Sequence, residues 1–124
     1  DTGRRLIYCI PNYVFLKIEQ GEKSDILDKS WPQLEYNKTD GLDKQAFWER
    51  QYKKHGTCCK NKYTQEAYFN LAIKLKDRFD VLKILGDQGI IPGNKYAFQK
   101  VHDAIKKVIR RPPKLMCTEA SQVL

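Results

Sequence analysis

The sequence predicts an α+β domain, rich in helix with a few short strands, and three features predict it. Apolar residues recur at helical spacing over Tyr68, Leu71, Ala72, Leu75 and Phe79, and again between 98 and 108. Residues 5–18 alternate loosely instead, as Leu6, Tyr8, Ile10 and then Tyr13, Phe15, with a break at Pro11-Asn12. Helical and extended stretches do not alternate regularly, which argues against βαβ units. The 124 residues, 41% of them hydrophobic, amount to one domain, 1–124, with enough apolar material for a core.

The elements follow in order. After the extended pieces of 5–18, the polar run Glu19 to Ser24 reads as an exposed loop. Ser24 or Asp25 can cap a short helix through Ile26 and Leu27, stopped by Pro32. Residues 37–43, with Asn, Asp and Gly, read as a loop. A helix is predicted over 45–55, closed by Gly56 at its C′ position. Thr64 can cap the next, with Gln65 and Glu66 in its first turn. Asp80 can cap one further turn, ended by Gly86. Gly89 to Gly93 is a Gly/Pro loop. Asn94 can cap a last helix that turns Phe98, Val101, Ala104, Ile105 and Val108 inward, and Pro112-Pro113 ends it. Lys114 to Cys117 looks like the start of a strand.

Charge narrows the partners. Lysine and arginine number 23 against 15 acids, so the formal net charge is +8, which favours polyanions such as nucleic acid, acidic glycan or anionic membrane. No apolar run approaches the ~20 residues of a membrane-spanning helix. Asp1 is not Met and no targeting segment opens the chain, so a processed chain or a piece of a longer one is expected.

Four cysteines, Cys9, Cys58, Cys59 and Cys117, show no C-x-x-C spacing, so a metal site is not predicted. Adjacent cysteines rarely bond to each other, so Cys58 and Cys59 are expected to bond elsewhere. Asn37-Lys38-Thr39 fits the acceptor pattern for N-glycosylation. An even cysteine count together with that triplet points to a secreted protein.

The run from Phe47 to Cys59 carries the chemistry. On a helix, Phe47, Gln51, Lys54 and His55 share one face, while Trp48 and Tyr52 lie about 100° round it and point to the core. The first face combines an aromatic plate, an amide, a cation and an imidazole. Phe47 could stack on a base. Lys54 and Gln51 could donate to a phosphate that gains charge, and His55 could exchange a proton at mild pH. The competing explanation is a solvated helix end, since Lys-Lys-His before Gly complements the helix dipole. His102, on a basic amphipathic helix, reads as a surface residue.

Phe47-Trp48-Glu49-x-Gln51-Tyr52-x-Lys54-His55-Gly56-Thr57-Cys58-Cys59 resembles the second active-site segment of the T2 ribonuclease family, most closely the pistil self-incompatibility ribonucleases of the nightshade family. Asp25-Ile26-Leu27 before Trp31-Pro32-Gln33-Leu34, Gly89-Ile90-Ile91-Pro92-Gly93 and Pro113-Lys114-Leu115-Met116-Cys117 agree in order and spacing. The resemblance implies a curved antiparallel sheet flanked by helices. It implies cleavage of single-stranded RNA without a metal or cofactor, through a 2′,3′-cyclic phosphate. His55 would be a general acid/base, Lys54 would stabilise the transition state, and Phe47 and Asp1 would contact bases. Cys9 would pair with Cys58; Cys59 is the extra cysteine of many such proteins.

Position 51 is Gln where much of the family has Glu, so it can donate a hydrogen bond but not move a proton. The family's first segment, His-Gly-Leu-Trp-Pro, does not occur in the sequence, and a partner for Cys117 is not evident. A fragment that cleaves RNA poorly when made alone is therefore expected. The resemblance further implies a monomer secreted in the pistil, with pollen F-box-type proteins as partners. The charged segments Thr2 to Leu6 and Ile18 to Ser24, with Arg4, Arg5, Glu19, Glu22 and Lys23, would distinguish those partners. The alternatives are a general plant T2 ribonuclease for defence or phosphate scavenging, or a non-catalytic basic RNA-binding relative.

Overall fold

The computed structural model describes residues 5–117. Six α-helices follow in order: α1 Glu22–Ser30, α2 Lys38–Lys44, α3 Ala46–Lys54, α4 Gln65–Arg78, α5 Val81–Gly86 and α6 Phe98–Ile109. A 3₁₀ turn, Gly56–Cys59, follows α3. The chain divides into two compact units, Asp1–Lys76 and Asp77–Leu124.

No strand or sheet occurs among the described residues, which overturns the predicted α+β class and its curved antiparallel sheet. Period-two alternation reports which way side chains point, not what the backbone bonds to. At Leu16 and Ile18 the backbone bonds to side-chain amides instead of a neighbouring strand. Leu16 N–H donates to Gln65 Oε1 at 3.1 Å, and Gln65 Nε2 donates back to Leu16 C=O at 2.6 Å. Ile18 N–H donates to Gln45 Oε1 at 2.8 Å, and Gln45 Nε2 returns to Ile18 C=O at 2.7 Å. Two buried glutamines thus satisfy groups that a neighbouring strand would otherwise take. Lys114–Cys117 is likewise not a strand, and Leu115 packs onto the core of the second unit.

Several helix ends differ from the sequence reading. α1 begins a turn early, after Gly21 at φ 141°, a conformation that favours glycine. Ser24 does take part, its hydroxyl donating to Gly21 C=O and accepting from Gly21 N–H. Residues 37–43 are not a loop: Asn37 caps α2, its Oδ1 accepting from Asp40 N–H at 3.0 Å. Thr64 and Asp80 cap α4 and α5 as read, through Ala67 and Lys83 N–H. α6 starts after Ala97 rather than at Asn94, and Phe98 and Val108 are 51% and 45% exposed instead of inward.

The core of the first unit is Leu27, Phe47, Trp48, Tyr52 and Phe69, with Tyr13, Phe15, Trp31 and Tyr68 packed against it. Trp48 and Tyr52 are fully buried, and Trp48 Nε1 donates to Trp31 C=O at 2.8 Å. On α4 the buried apolar residue is Phe69, one position from the expected stripe, while Leu75 is exposed. In the second unit Ile90, Val101 and Ala104 pack with Leu85, Tyr96 and Ile105.

Burial pushes the Tyr52 hydroxyl from 10.0 up to about 12, with the neighbouring Tyr13 adding to the shift. The folded protein therefore holds this proton where the unfolded chain releases it. Stability from this group is intact below pH 10 and is lost as pH rises from about 10 to about 12. Urea melts of Tyr52→Phe across that window should show a shallower alkaline decline than the parent.

Candidate active site at the end of the third helix

α3 forms because Phe47, Trp48 and Tyr52 bury on adjacent turns, while Glu49 and Lys53 pair on the opposite side, with the charge order a helix dipole favours. Gln51, Lys54 and His55 continue the side of the helix that begins at Phe47, at and beside the C-terminal turn. Gln51 and Lys54 are partly buried and His55 is exposed. His55 is the C-cap residue at φ −117°, its N–H donating to Gln51 C=O at 2.9 Å.

Gly56 does not serve as the left-handed helix stop that its position suggests, because its φ is not positive. It is there for room. A Cβ at Gly56 would meet the Tyr52 ring at 2.2 Å, so only glycine lets the chain turn over the buried tyrosine and present His55. Thr57, buried, donates its hydroxyl to Lys53 C=O at 2.8 Å and ties the 3₁₀ turn back to α3.

Cys9 is bonded to Cys58, 49 positions on in sequence, with Cα atoms 4.9 Å apart. Next to it Tyr8 N–H donates to Lys54 C=O at 2.8 Å. Tyr8 sits at φ 49°, left-handed and costly for a non-glycine residue. The helix end that carries Lys54 and His55 is thus clamped by a covalent and a hydrogen bond to the same short segment. On loop-closure grounds the disulfide contributes about 2–4 kcal/mol. A Cys9→Ser/Cys58→Ser variant should lose about that much in a urea titration. A midpoint unchanged from the parent would refute the clamp.

The structure places the other expected residues variously. Phe47 is on α3 but is only 7% exposed, packed edge-on against Trp31 at 6.0 Å with Arg50 guanidinium 5.8 Å from its ring. Arg50 in turn forms a two-pronged pair with Glu35, Nη1 to Oε2 at 2.9 Å, and this bond holds the Glu35 carboxyl below the usual range. Asp1 and Arg4 lie outside the described residues. Arg5, Glu19, Glu22 and Lys23 are exposed. Glu19 and Lys23 rim a cavity of about 690 Å³ floored by Leu27, Phe69 and Ile73, which neither Lys54 nor His55 lines. Asn37 is exposed, and its Nδ2 donates to Asp40 Oδ2 at 2.8 Å. Cys59 and Cys117 are in no disulfide. Among the described residues no group of three or more His, Cys, Asp or Glu is arranged to hold a metal ion, and no helix is long and apolar enough to cross a membrane.

Tyr8 is the residue at this site that the sequence reading missed. It looked like one position in an alternating strand. Its place next to Cys9, once Cys9 is tied to Cys58, is the signal that could have found it.

The chain belongs to the Ribonuclease T2 family, whose pattern matches residues 2–124. It is 45% identical over 121 residues to Ribonuclease S-7 of Nicotiana alata, covering 96% of this chain and 56% of that protein. It is 31% identical over 114 residues to Ribonuclease 3 of Arabidopsis thaliana, covering 91% of this chain and 50% of that protein. The crystal structure of the self-incompatibility associated SF11-RNase of Nicotiana alata superposes with a TM-score of 0.88 at 40% identity, over 98% of this chain and 61% of that one. The chain spans about half the length of the curated relatives it matches.

Proposed function

We propose that the whole protein is a secreted endoribonuclease that cleaves single-stranded RNA by transphosphorylation. The observation that carries this is the clamped α3 end, with Gln51, Lys54 and His55 at one side of it, in a chain of the T2 family. The ribose 2′-OH attacks the adjacent phosphorus and the 5′-oxygen leaves, giving a 2′,3′-cyclic phosphate and a free 5′-OH. His55 takes or gives one of the two protons moved. The Lys54 ammonium and the Gln51 amide N–H donate to the phosphate oxygens, where charge builds in the five-coordinate state. Gln51 supplies hydrogen bonding but no proton transfer. Phe47, mostly buried, offers a base little more than an edge.

The finer reading is a pistil determinant of self-incompatibility. The similarity to S-7 and to SF11-RNase supports it over a general plant ribonuclease. In that role exposed Glu19, Glu22 and Lys23, with Arg4 and Arg5, would meet a pollen F-box-type partner. Exchanging residues 18–24 between two alleles should change which pollen is rejected, and unchanged rejection would refute that assignment.

The ribonuclease reading is tested by incubating the whole protein with an oligoribonucleotide in EDTA. Cleavage is expected, together with none at a position bearing 2′-O-methyl ribose. Cleavage at the methylated position, or none anywhere without added metal, would overturn it.

A further inference from the structure

The second unit carries a basic surface made of residues with no role in the chemistry proposed for α3. Between 95 and 114 the chain has Lys95, Lys100, Lys106, Lys107, Arg110, Arg111 and Lys114 against a single acid, Asp103. All seven cations are exposed, and none is within salt-bridge distance of a carboxylate among the described residues. Elsewhere the surface cations are often paired, as in Lys23 with Glu66, Arg50 with Glu35, Lys53 with Glu49 and Lys83 with Asp87.

The cations on α6 are ordered with aromatic groups. Phe98, His102 and Lys106 are spaced by four along one ridge of α6, with a rise of about 6 Å between successive members, and Arg110 follows as the C-cap residue at φ 56°. The Phe98 and His102 rings stack, with centroids 6.3 Å apart and planes at 25°. The stack is held in place. His102 Nδ1 lies 3.0 Å from Asp103 Oδ1, and Gln99 Nε2 donates to the same oxygen at 2.8 Å. His102 is mostly covered, with a side chain 20% exposed, whereas Phe98 is 51% exposed although the hydrophobic pattern would turn it inward. An exposed phenylalanine braced from behind by an imidazole, followed by a lysine and an arginine one and two turns on, suits a base followed by phosphates. A sequence-tolerant single strand binds through such a combination of aromatic platform and cationic track.

We propose that the α6 ridge is a binding site for single-stranded RNA, made of residues other than those of the α3 end. Phe98 stacks on one base, and Lys106 and Arg110 contact the phosphates that follow it. The polyanion is taken to be RNA because the ridge offers ring faces as well as charge. This rests on the ribonuclease reading above for the identity of the strand, but the contacts are α6's own.

The test is fluorescence polarisation of the full chain with a labelled 2′-O-methyl oligouridine, which cannot undergo transphosphorylation. Phe98→Ala should weaken binding at least fivefold, since one stacked base is worth ~1–3 kcal/mol. Phe98→Trp should restore it. Lys106→Glu/Arg110→Glu should reduce the slope of log affinity against log salt by at least ~1.4, two phosphates' worth for a single strand. The control Lys29→Glu/Lys74→Glu, two exposed sites off the ridge, should leave that slope unchanged. Parent-like binding by Phe98→Ala, or an equal slope change in the control, would overturn the ridge. So would displacement of the oligonucleotide by an oligo-aspartate peptide at equal concentration, which would assign the ridge to an acidic protein. In each case cleavage of RNA by the whole protein would still stand, whereas loss of that cleavage with the ridge binding intact would fault the ribonuclease reading alone.

Discussion

Replacing His55 by alanine in the whole protein is expected to lower kcat/KM for RNA by about 10²–10⁴-fold, the range typical of a single acid–base group. Folding should be unaffected. His55 is exposed, and the bonds that seat it are made by its main chain, N–H to Gln51 and C=O from Cys58 N–H at 3.3 Å. An alanine keeps both. The loss should therefore appear with the melting temperature unchanged. Lys54→Ala should lower kcat as well, because its ammonium is asked to meet charge that exists only in the transition state. A His55→Ala enzyme with parental activity would reduce the α3 end to an ordinary basic helix terminus.

The second large effect is on stability. Tyr52→Ala should cost about 3–5 kcal/mol, the range for emptying a large buried aromatic site. Tyr52 is at the centre of the first unit. Its ring lies 5.1 Å from Tyr13, 5.2 Å from Tyr68 and 5.9 Å from Phe69, and it fills the space under Gly56. Emptying it removes the surface over which the chain turns to present His55, so activity should fall together with stability. Tyr52→Phe separates ring from hydroxyl. The hydroxyl is buried with no hydrogen-bond partner among the described residues, so its removal should be neutral or slightly stabilising at pH 7. Urea titrations of both variants decide the matter. A large loss in the phenylalanine variant would show that the hydroxyl, not the ring, matters.

α3 was legible because its buried pair, Trp48 and Tyr52, is spaced by four and a glycine follows. α2 was not, since Lys-Thr-Asp-Gly-Leu-Asp-Lys has weak helix propensity. It is held by the Asn37 cap and by close packing, for a Cβ on Gly41 would meet Gln33 at 2.8 Å. The sheet was misread for a different reason. Gln45 and Gln65 looked like surface polar residues at helix starts, and nothing local says that their amides reach back to Ile18 and Leu16. On α4 a one-position shift, Phe69 rather than the Tyr68 stripe, reflects a packing choice made by Phe15 and Trp31. The polar members of the candidate site, Gln51, Lys54 and His55, fall within five positions of one helix end, so their nearness in the chain follows from spacing alone. Phe47 was only half legible. Its position on α3 was right, but the contact with Trp31 that buries it is a tertiary one.

Transphosphorylation of RNA at the α3 end is the proposal from which the other expectations for the site follow. The most direct check is ³¹P NMR of a short oligoribonucleotide during incubation with the whole protein and with its His55→Ala variant. A 2′,3′-cyclic phosphate resonance should grow with the parent and be nearly absent with the variant. A linear phosphate released with no cyclic precursor, or a cyclic product formed equally fast without His55, would contradict it.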